Sequence, residues 1–463
     1  MVQIYQPGRG RKSGAGKSSR RNPAVKSTPV STSVLELFID DWDHQGQGVS
    51  RSHQPVVFVE GALPGETCKV RITEQKKRVW QGQAIEVLQA SAARKTADCE
   101  YYAECGGCQT RHIHSAEALK LKQQAVSGLL TKVAGIDELP WQAALVADEY
   151  HYRRKTRLAL DARNAKLPKL GLRAKGSQDV VGIHHCKVLT PKLDALLKPL
   201  QTLMLALQGA LAIGHIGLLE GDNLVQVSVR LTRDISQSDR ALWQAFAHQN
   251  NVQLLFEIRS GEFDKVTETE RELVYTLDDG VQLLVAPNDF IQVNAEINRL
   301  MVRQALDWLA PQQDENILDL FCGLGNFSLP LAKRCQHVIG VEGVSEMVQR
   351  ASKNARLNQI ANAEFIQMDL NGEKSISQMG RLKIDKVLLD PARDGAFGVM
   401  PHLKQLAAQQ ILYVSCNPAS FARDAKLLLE QGYRLDKIGL MDMFPYTSHS
   451  ELMALFVQTA RKR

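Results

Sequence analysis

No stretch of this chain reads as a clean membrane span. The longest uncharged run, Pro199 to Leu219, approaches bilayer length, but Gln201, Gln208, His215 and three glycines interrupt it. It reads instead as a buried amphipathic helix and turn. No secretory apolar core follows the N-terminus. Eight cysteines scattered over 463 residues do not make a disulfide framework. Reduced thiols in a cytoplasmic protein are therefore expected, available as ligands or nucleophiles. Internal repeats are missing too, which excludes solenoids and propellers. Acidic residues are absent from the first 35 positions, which hold Arg9, Arg11, Lys12, Lys17, Arg20, Arg21 and Lys26.

The whole chain has 57 Lys and Arg against 50 Asp and Glu, so the N-terminal segment carries all of the excess positive charge. Residues 1–30 are rich in Gly, Ser and Pro and poor in large apolar side chains. Such a segment buries too little surface to offset its ordering entropy, and it is expected to be disordered and to bind a polyanion. The glycines and Pro7 argue against an amphipathic transit peptide. Elsewhere 44% hydrophobic and 23% charged residues make an ordinary globular mix, and the length suggests roughly three domains at about 150 residues each.

Residues 31–92 alternate short β-type runs (Leu35-Leu37-Ile39, Val56-Phe58-Val59, Cys68-Val70-Ile72, Ile85-Val87) with turn signals at Gly46-Gln47-Gly48 and Leu63-Pro64-Gly65. This spacing predicts a small OB-like β-barrel. Its segment Gln75-Lys76-Lys77-Arg78-Val79-Trp80 joins cations to an aromatic, as suits phosphate contact and base stacking, and equally suits a lysine-protected strand edge. Residues 93–288 read as a mixed α/β domain. A helix is predicted over 116–134, strands over Thr156–Leu160, Leu224–Val229 and Leu254–Ile258, and a helix over Lys192–Leu207 with a break at Pro199.

From Asn316 onward the pattern becomes regular β-α alternation. Strands are expected at Ile317–Phe321, Val338–Val341, Glu364–Met368, Asp385–Leu389 and Ile411–Val414, then a helix over Ala419–Gln431. Short apolar strands joined by helices imply a parallel, Rossmann-like sheet in residues 289–463, with Leu435–Met441 and Leu452–Val457 pairing as an antiparallel edge hairpin. Asp319-Leu-Phe-Cys-Gly323-Leu-Gly325-Asn-Phe-Ser328 closes the first strand. Its glycines allow the backbone to approach a ligand, but Ser328 stands where a dinucleotide fingerprint needs a third glycine. Glu342, ending the second strand, sits where an acid accepts ribose hydroxyls, and Asp369, after the third, can meet an adenine. Acids at three successive strand ends resemble class I S-adenosylmethionine-dependent methyltransferases, although each alone could be a helix cap.

Leu389-Asp390-Pro391-Ala392-Arg393 and Val414-Ser415-Cys416-Asn417-Pro418 end the fourth and fifth strands, so both face the cofactor crevice. A cysteine at a strand end before a helix is partly exposed and can be held as thiolate. A thiol has one clear use in methyl transfer: C5 of uracil is a poor nucleophile until a thiolate adds to C6. The adduct must then lose its C5 proton to a base, and Glu451 in His449-Ser450-Glu451-Leu452 is the candidate. Together these motifs resemble the RNA uracil-C5 methyltransferase family over essentially the whole chain after the tail. The resemblance implies Cys416 as nucleophile, Glu451 as base, and cofactor contacts from Gln292 (in Phe290-Ile-Gln-Val-Asn294), Phe321, Asn326, Glu342, Asp369 and Asp390.

Cys99, Cys105, Cys108 and the distant Cys186 supply four thiolates. Their spacing suits an iron–sulfur cubane better than a zinc ribbon, yet thiolate count alone leaves zinc open. A thioredoxin-like Cys105–Cys108 couple lacks its βαβ context. The neighbouring His112 and His114 read as surface or capping residues. Within the resembled family this cysteine spacing implies a [4Fe–4S] cluster, and the barrel resembles a TRAM domain. The combination implies a monomeric enzyme acting on 23S ribosomal RNA, free or in an assembly intermediate, with no membrane partner. Two other classes stay open: a Rossmann oxidoreductase with an iron–sulfur centre, and a non-enzymatic RNA-binding assembly factor. Within the family, an enzyme modifying two sites is a further alternative.

Overall fold

The computed structural model describes residues 33–164, 166–267, 271–370 and 383–459. The basic segment 1–30 lies outside these. The described residues divide into two compact units, one formed by residues 33–42 together with Gln47–Arg94, the other by Asp43–Gly46 and the described residues from Lys95.

The first unit is a six-stranded sheet. Val34–Phe38 pairs with Thr67–Gln75, which pairs with Val79–Gln89, and that long strand runs parallel to Val56–Glu60. Alternate residues Leu37, Val57, Val59, Cys68, Val70 and Ile72 point to one core, as the period-two pattern requires. The buried Glu66 carboxylate accepts from the Leu63 and Ser91 amides and from Arg94 Nε and Nη2, which ties the last residues of the unit to its turn. Lys76, Lys77 and Arg78 are exposed as expected, and Trp80 packs against His53 at 4.8 Å between ring centroids.

The second unit contains two seven-stranded sheets. In one, the strand order runs Glu262–Lys265, Gln253–Arg259, Val225–Leu231, Ile213–Glu220, Lys155–Asp161, Lys169–Arg173, Val180–Gly182. Helices Leu197–Ala206 and Gln237–Gln249 contribute Leu200, Met204, Trp243 and Phe246 to its core. Two expectations need correcting here. The helix read over Lys192–Leu207 breaks at Ala195–Leu196, not at Pro199, because proline in the first turn of Leu197–Ala206 forfeits no intrahelical bond. The uncharged run Pro199–Leu219 is only half helical. After a short 3₁₀ turn at Ala210–Ala212 its second half, Ile213–Glu220, is a central strand paired on both sides.

The other sheet has the order Ala363–Gln367, His337–Glu342, Asn316–Leu320, Lys386–Leu389, Gln410–Ser415, Glu451–Gln458, Tyr433–Met441. Its first five strands are parallel and its last two antiparallel. The order reverses between Asn316–Leu320 and Lys386–Leu389, which opens a crevice at the carboxyl ends of these strands. The late hairpin is as expected, except that Glu451–Gln458 lies inside the sheet and Tyr433–Met441 alone forms the edge. Helix Ser115–Ala134 docks on this side of the unit, where Val126 and Leu130 join the same core as Phe421 and Leu428 of helix Pro418–Glu430. Among the described residues no helix is long and apolar enough to cross a membrane.

Candidate active site

The first strand delivers its chain into a tight loop. Phe321, Gly323 and Gly325 have φ of 65°, 55° and 90°. For Phe321 that left-handed conformation is a strained choice, held by its amide and that of Cys322 donating to the Val341 carbonyl at 2.8 and 3.1 Å. Glu342 accepts from the Gly323 amide at 3.2 Å and the Val344 amide at 2.9 Å. Its carboxylate thus locks the loop to the second strand. Asp319 is buried and accepts from Ser328 Oγ, and burial pushes its carboxyl up to about 7. The serine that departs from a dinucleotide fingerprint therefore has a structural task.

Of the predicted cofactor contacts, Gln292, Phe321, Asn326, Glu342 and Asp390 are partly exposed and Asp369 is exposed. The Asn326 amide also exchanges two 3.0 Å bonds with Asn298 and accepts a third from the Tyr275 hydroxyl at 3.0 Å, which holds the loop in place.

Register places the proposed reacting groups side by side. Ser415 pairs with Leu452 in the antiparallel ladder, so the next residue of one strand, Cys416, lies across from the preceding residue of the other, Glu451. Asp390 extends the adjacent strand, since Leu389 pairs in parallel with Tyr413. Three ionisable groups consequently crowd one end of the sheet. Glu451 is 9% exposed, and burial followed by repulsion from Asp390 raises its carboxyl to about 8. Burial also raises Asp390 to about 7. The thiol of Cys416 is pushed up to about 12 by burial, then by Glu451 and Asp390. The sequence allowed a thiolate here; the half-buried cysteine instead stands beside two acids, which favour the protonated thiol.

Two cations oppose this negative field, and sequence reasoning had assigned neither a role. Arg393 lowers both Cys416 and Glu451 and lies 3.3 Å from a ring nitrogen of His449. Burial and these cations depress His449 to about 4, so its imidazole is neutral near pH 7. Lys122 reaches the site from helix Ser115–Ala134 and pairs with Asp442 at 3.1 Å. The spacing Ala118-Lys122-Val126-Leu130, all buried on one helical face, was the available signal.

The four cysteines of the 99–186 set fall within mutual electrostatic reach. Burial raises Cys105, Cys108 and Cys186, and each feels other members of the set. Among the described residues no group of three or more His, Cys, Asp or Glu side chains is arranged to hold a metal ion. His112 is buried, contrary to the surface reading, with Nδ1 2.5 Å from the Tyr102 hydroxyl. His114 takes the N-cap position of helix Ser115–Ala134.

The profile described as tRNA (Uracil-5-)-methyltransferase matches residues 148–459, and the TRAM domain profile matches residues 32–85. The chain belongs to the RNA uracil-C5 methyltransferase family. Among its relatives, the 23S rRNA (uracil(1939)-C(5))-methyltransferase RlmD of Vibrio cholerae serotype O1 (strain M66-2) is 44% identical, covering 94% of this chain and 98% of its own. The protein of that name from Shewanella sp. (strain MR-7) is 46% identical over 93% of this chain and 98% of its own. The solved Pyrococcus abyssi tRNA (uracil-54, C5)-methyltransferase, in complex with S-adenosyl-L-homocysteine, shares the fold with a TM-score of 0.68 at 24% identity, covering 91% of this chain and all of that one. Membership in this methyltransferase family disfavours the oxidoreductase and the non-enzymatic assembly-factor readings.

Proposed function

We propose that this chain methylates C5 of uridine 1939 in 23S ribosomal RNA, acting as a monomer through a covalent adduct between Cys416 and C6 of the base. The observation that carries the chemistry is the ladder register that sets Cys416 against Glu451 at the crevice end of the sheet. The choice of RNA rests on the RlmD relatives, which match nearly end to end.

S-adenosylmethionine supplies an electrophilic methyl group. The loop from Phe321 to Phe327 fits such a donor: three positive φ angles shape it, and a Cβ at Gly323 would meet only Met347. Gln292, Phe321, Asn326, Glu342, Asp369 and Asp390 would line the donor, with Asn326 also bonded to Asn298 and Tyr275. Cys416, half-buried, gives up its proton to solvent as its sulfur bonds C6, and the C5–C6 electron pair moves into an enolate. C5 then takes the methyl. Glu451, titrating near 8, accepts the C5 proton. That electron pair restores the double bond and expels the Cys416 thiolate. Arg393 stands where it would offset the charge of the thiolate.

Cys99, Cys105, Cys108 and Cys186 would hold a [4Fe–4S] cluster. The support is chemical: four half-buried thiols, of which Cys105, Cys108 and Cys186 each feel other members of the set, have no other evident use. Such a cluster would serve folding or RNA docking.

Mapping 5-methyluridine in 23S RNA tests the substrate. Cells lacking the gene should lose the modification at 1939 alone and regain it with the wild-type chain but not with Cys416→Ala. Loss at a second uridine would favour the dual-site alternative, and no loss would contradict the assignment.

A further inference from the structure

Glu451 is introduced by a connection, residues 442–450, that has no regular structure of its own. Its backbone is nonetheless held at several points, and at Pro445 and Tyr446 the holding groups come from the cysteine-bearing part of the chain. The Tyr446 carbonyl accepts from the Gln109 amide at 2.9 Å and the Thr110 amide at 3.0 Å. The Pro445 carbonyl accepts from the Tyr152 hydroxyl at 3.2 Å. Tyr446 itself has φ of 65°, a conformation a tyrosine keeps only under such constraint.

The Tyr446 ring is gripped as well. The guanidinium of Arg111 lies 4.1 Å from its centroid, and the Tyr446 hydroxyl donates to Glu149. Arg111 is 1% exposed, contacts Cys108, and donates to Asp98 at 2.7 Å. Asp98 precedes Cys99 in the chain and also accepts from Lys187, next to Cys186, at 3.0 Å. One carboxylate thus joins three segments that carry the cysteines, and one arginine passes their position on to the loop before Glu451.

We infer that Arg111 and Tyr446 are positioning residues for the proton-removal step, through which the cysteine-bearing layer aims Glu451 at C5 of the adduct. This rests on Glu451 acting as the base. Attack by Cys416 and methyl transfer depend on the fifth strand and the loop after the first, and among the described residues the connection 442–450 reaches them by hydrogen bond through the His449–Arg393 contact alone. Loosening it should therefore slow the last step selectively, since a small misplacement of a reacting group costs roughly tenfold to a hundredfold.

The test compares Tyr446→Leu, Arg111→Ala and Arg111→Lys with Glu451→Gln in the full chain, using labelled methyl donor and an RNA hairpin. Single-turnover methyl transfer and release from the covalent adduct are measured separately. Tyr446→Leu and Arg111→Ala should transfer methyl within about threefold of wild type, release it about tenfold or more slowly, and accumulate a methylated adduct. Arg111→Lys keeps the charge beside Asp98 without a flat stacking surface and should be intermediate. Tyr446→Leu leaves the Arg111–Asp98 pair intact and decides the matter if Arg111→Ala does not fold. Adduct from Glu451→Gln with none from Tyr446→Leu, or equal slowing of both steps, overturns the positioning role alone. Absence of adduct from Glu451→Gln removes the base role and this inference with it.

Discussion

Replacing Lys122 by methionine keeps the length and apolar stem of the side chain while deleting its ammonium group. In the folded chain Lys122 and Asp442 have 4% and 10% exposed side chains and pair at 3.1 Å, so solvent does little to screen them. Breaking a buried pair from one side strands the other charge, at a cost of about 3–5 kcal/mol. Lys122→Met should lower stability to urea by that amount, read from tryptophan fluorescence. A Lys122→Met, Asp442→Leu double variant should recover most of it, because the penalty belongs to the stranded carboxylate rather than to the lost attraction. There is a second consequence at the site. Lys122 helps hold the Glu451 carboxyl down, so its removal should move the pH midpoint of adduct release upward. A single variant within about 0.5 kcal/mol of the parent, the usual range of surface changes, or a double variant as weak as the single one, would refute this reasoning.

Release of methylated RNA from a preformed adduct should rise with pH and level off above about 8, because a protonated Glu451 cannot accept the C5 proton; a flat profile between pH 6 and 9 would count against this. Anaerobically purified protein should be brown and contain iron and sulfide, and serine at Cys99, Cys105, Cys108 or Cys186 should remove the colour; stoichiometric zinc in a colourless protein would contradict the ligand assignment. Deleting residues 1–30 should flatten the salt dependence of RNA binding, since each phosphate neutralised by Lys or Arg releases counterions regardless of sequence. A shift of the methyl group to another uridine would show that the segment reads sequence.

What could be read from the sequence was chiefly what is local. The short apolar strands ending at Leu320, Glu342, Leu389 and Ser415 stand out because a parallel sheet buried on both faces needs continuous apolar runs. The motifs at their ends were legible for the same reason, as polar punctuation after apolar runs. Ile213–Glu220 was misread because its glycines and lack of charge resemble a turn, whereas Gly217 lies against the Ser228 side chain of the next strand with no room for a Cβ. The buried face of helix Ser115–Ala134 marked Lys122 but not the group it meets, and the partner of Arg111 was equally hidden. Lys122 meets Asp442, and Arg111 meets Tyr446, across more than 300 residues of chain, and no local pattern encodes such pairings. The raised Cys416 thiol has the same origin, because Asp390 and Glu451 become its neighbours only when three strands align.

The central claim is that Cys416 and Glu451 bracket methyl transfer in time. Denaturing electrophoresis of each variant with RNA and labelled methyl donor tests it in one measurement. Glu451→Gln should attack and methylate but fail to eliminate, leaving a slow, radioactive enzyme–RNA band, while Cys416→Ala should give neither band nor methylated RNA. Rapid turnover by Glu451→Gln without that band, or an adduct formed by Cys416→Ala, would contradict the account.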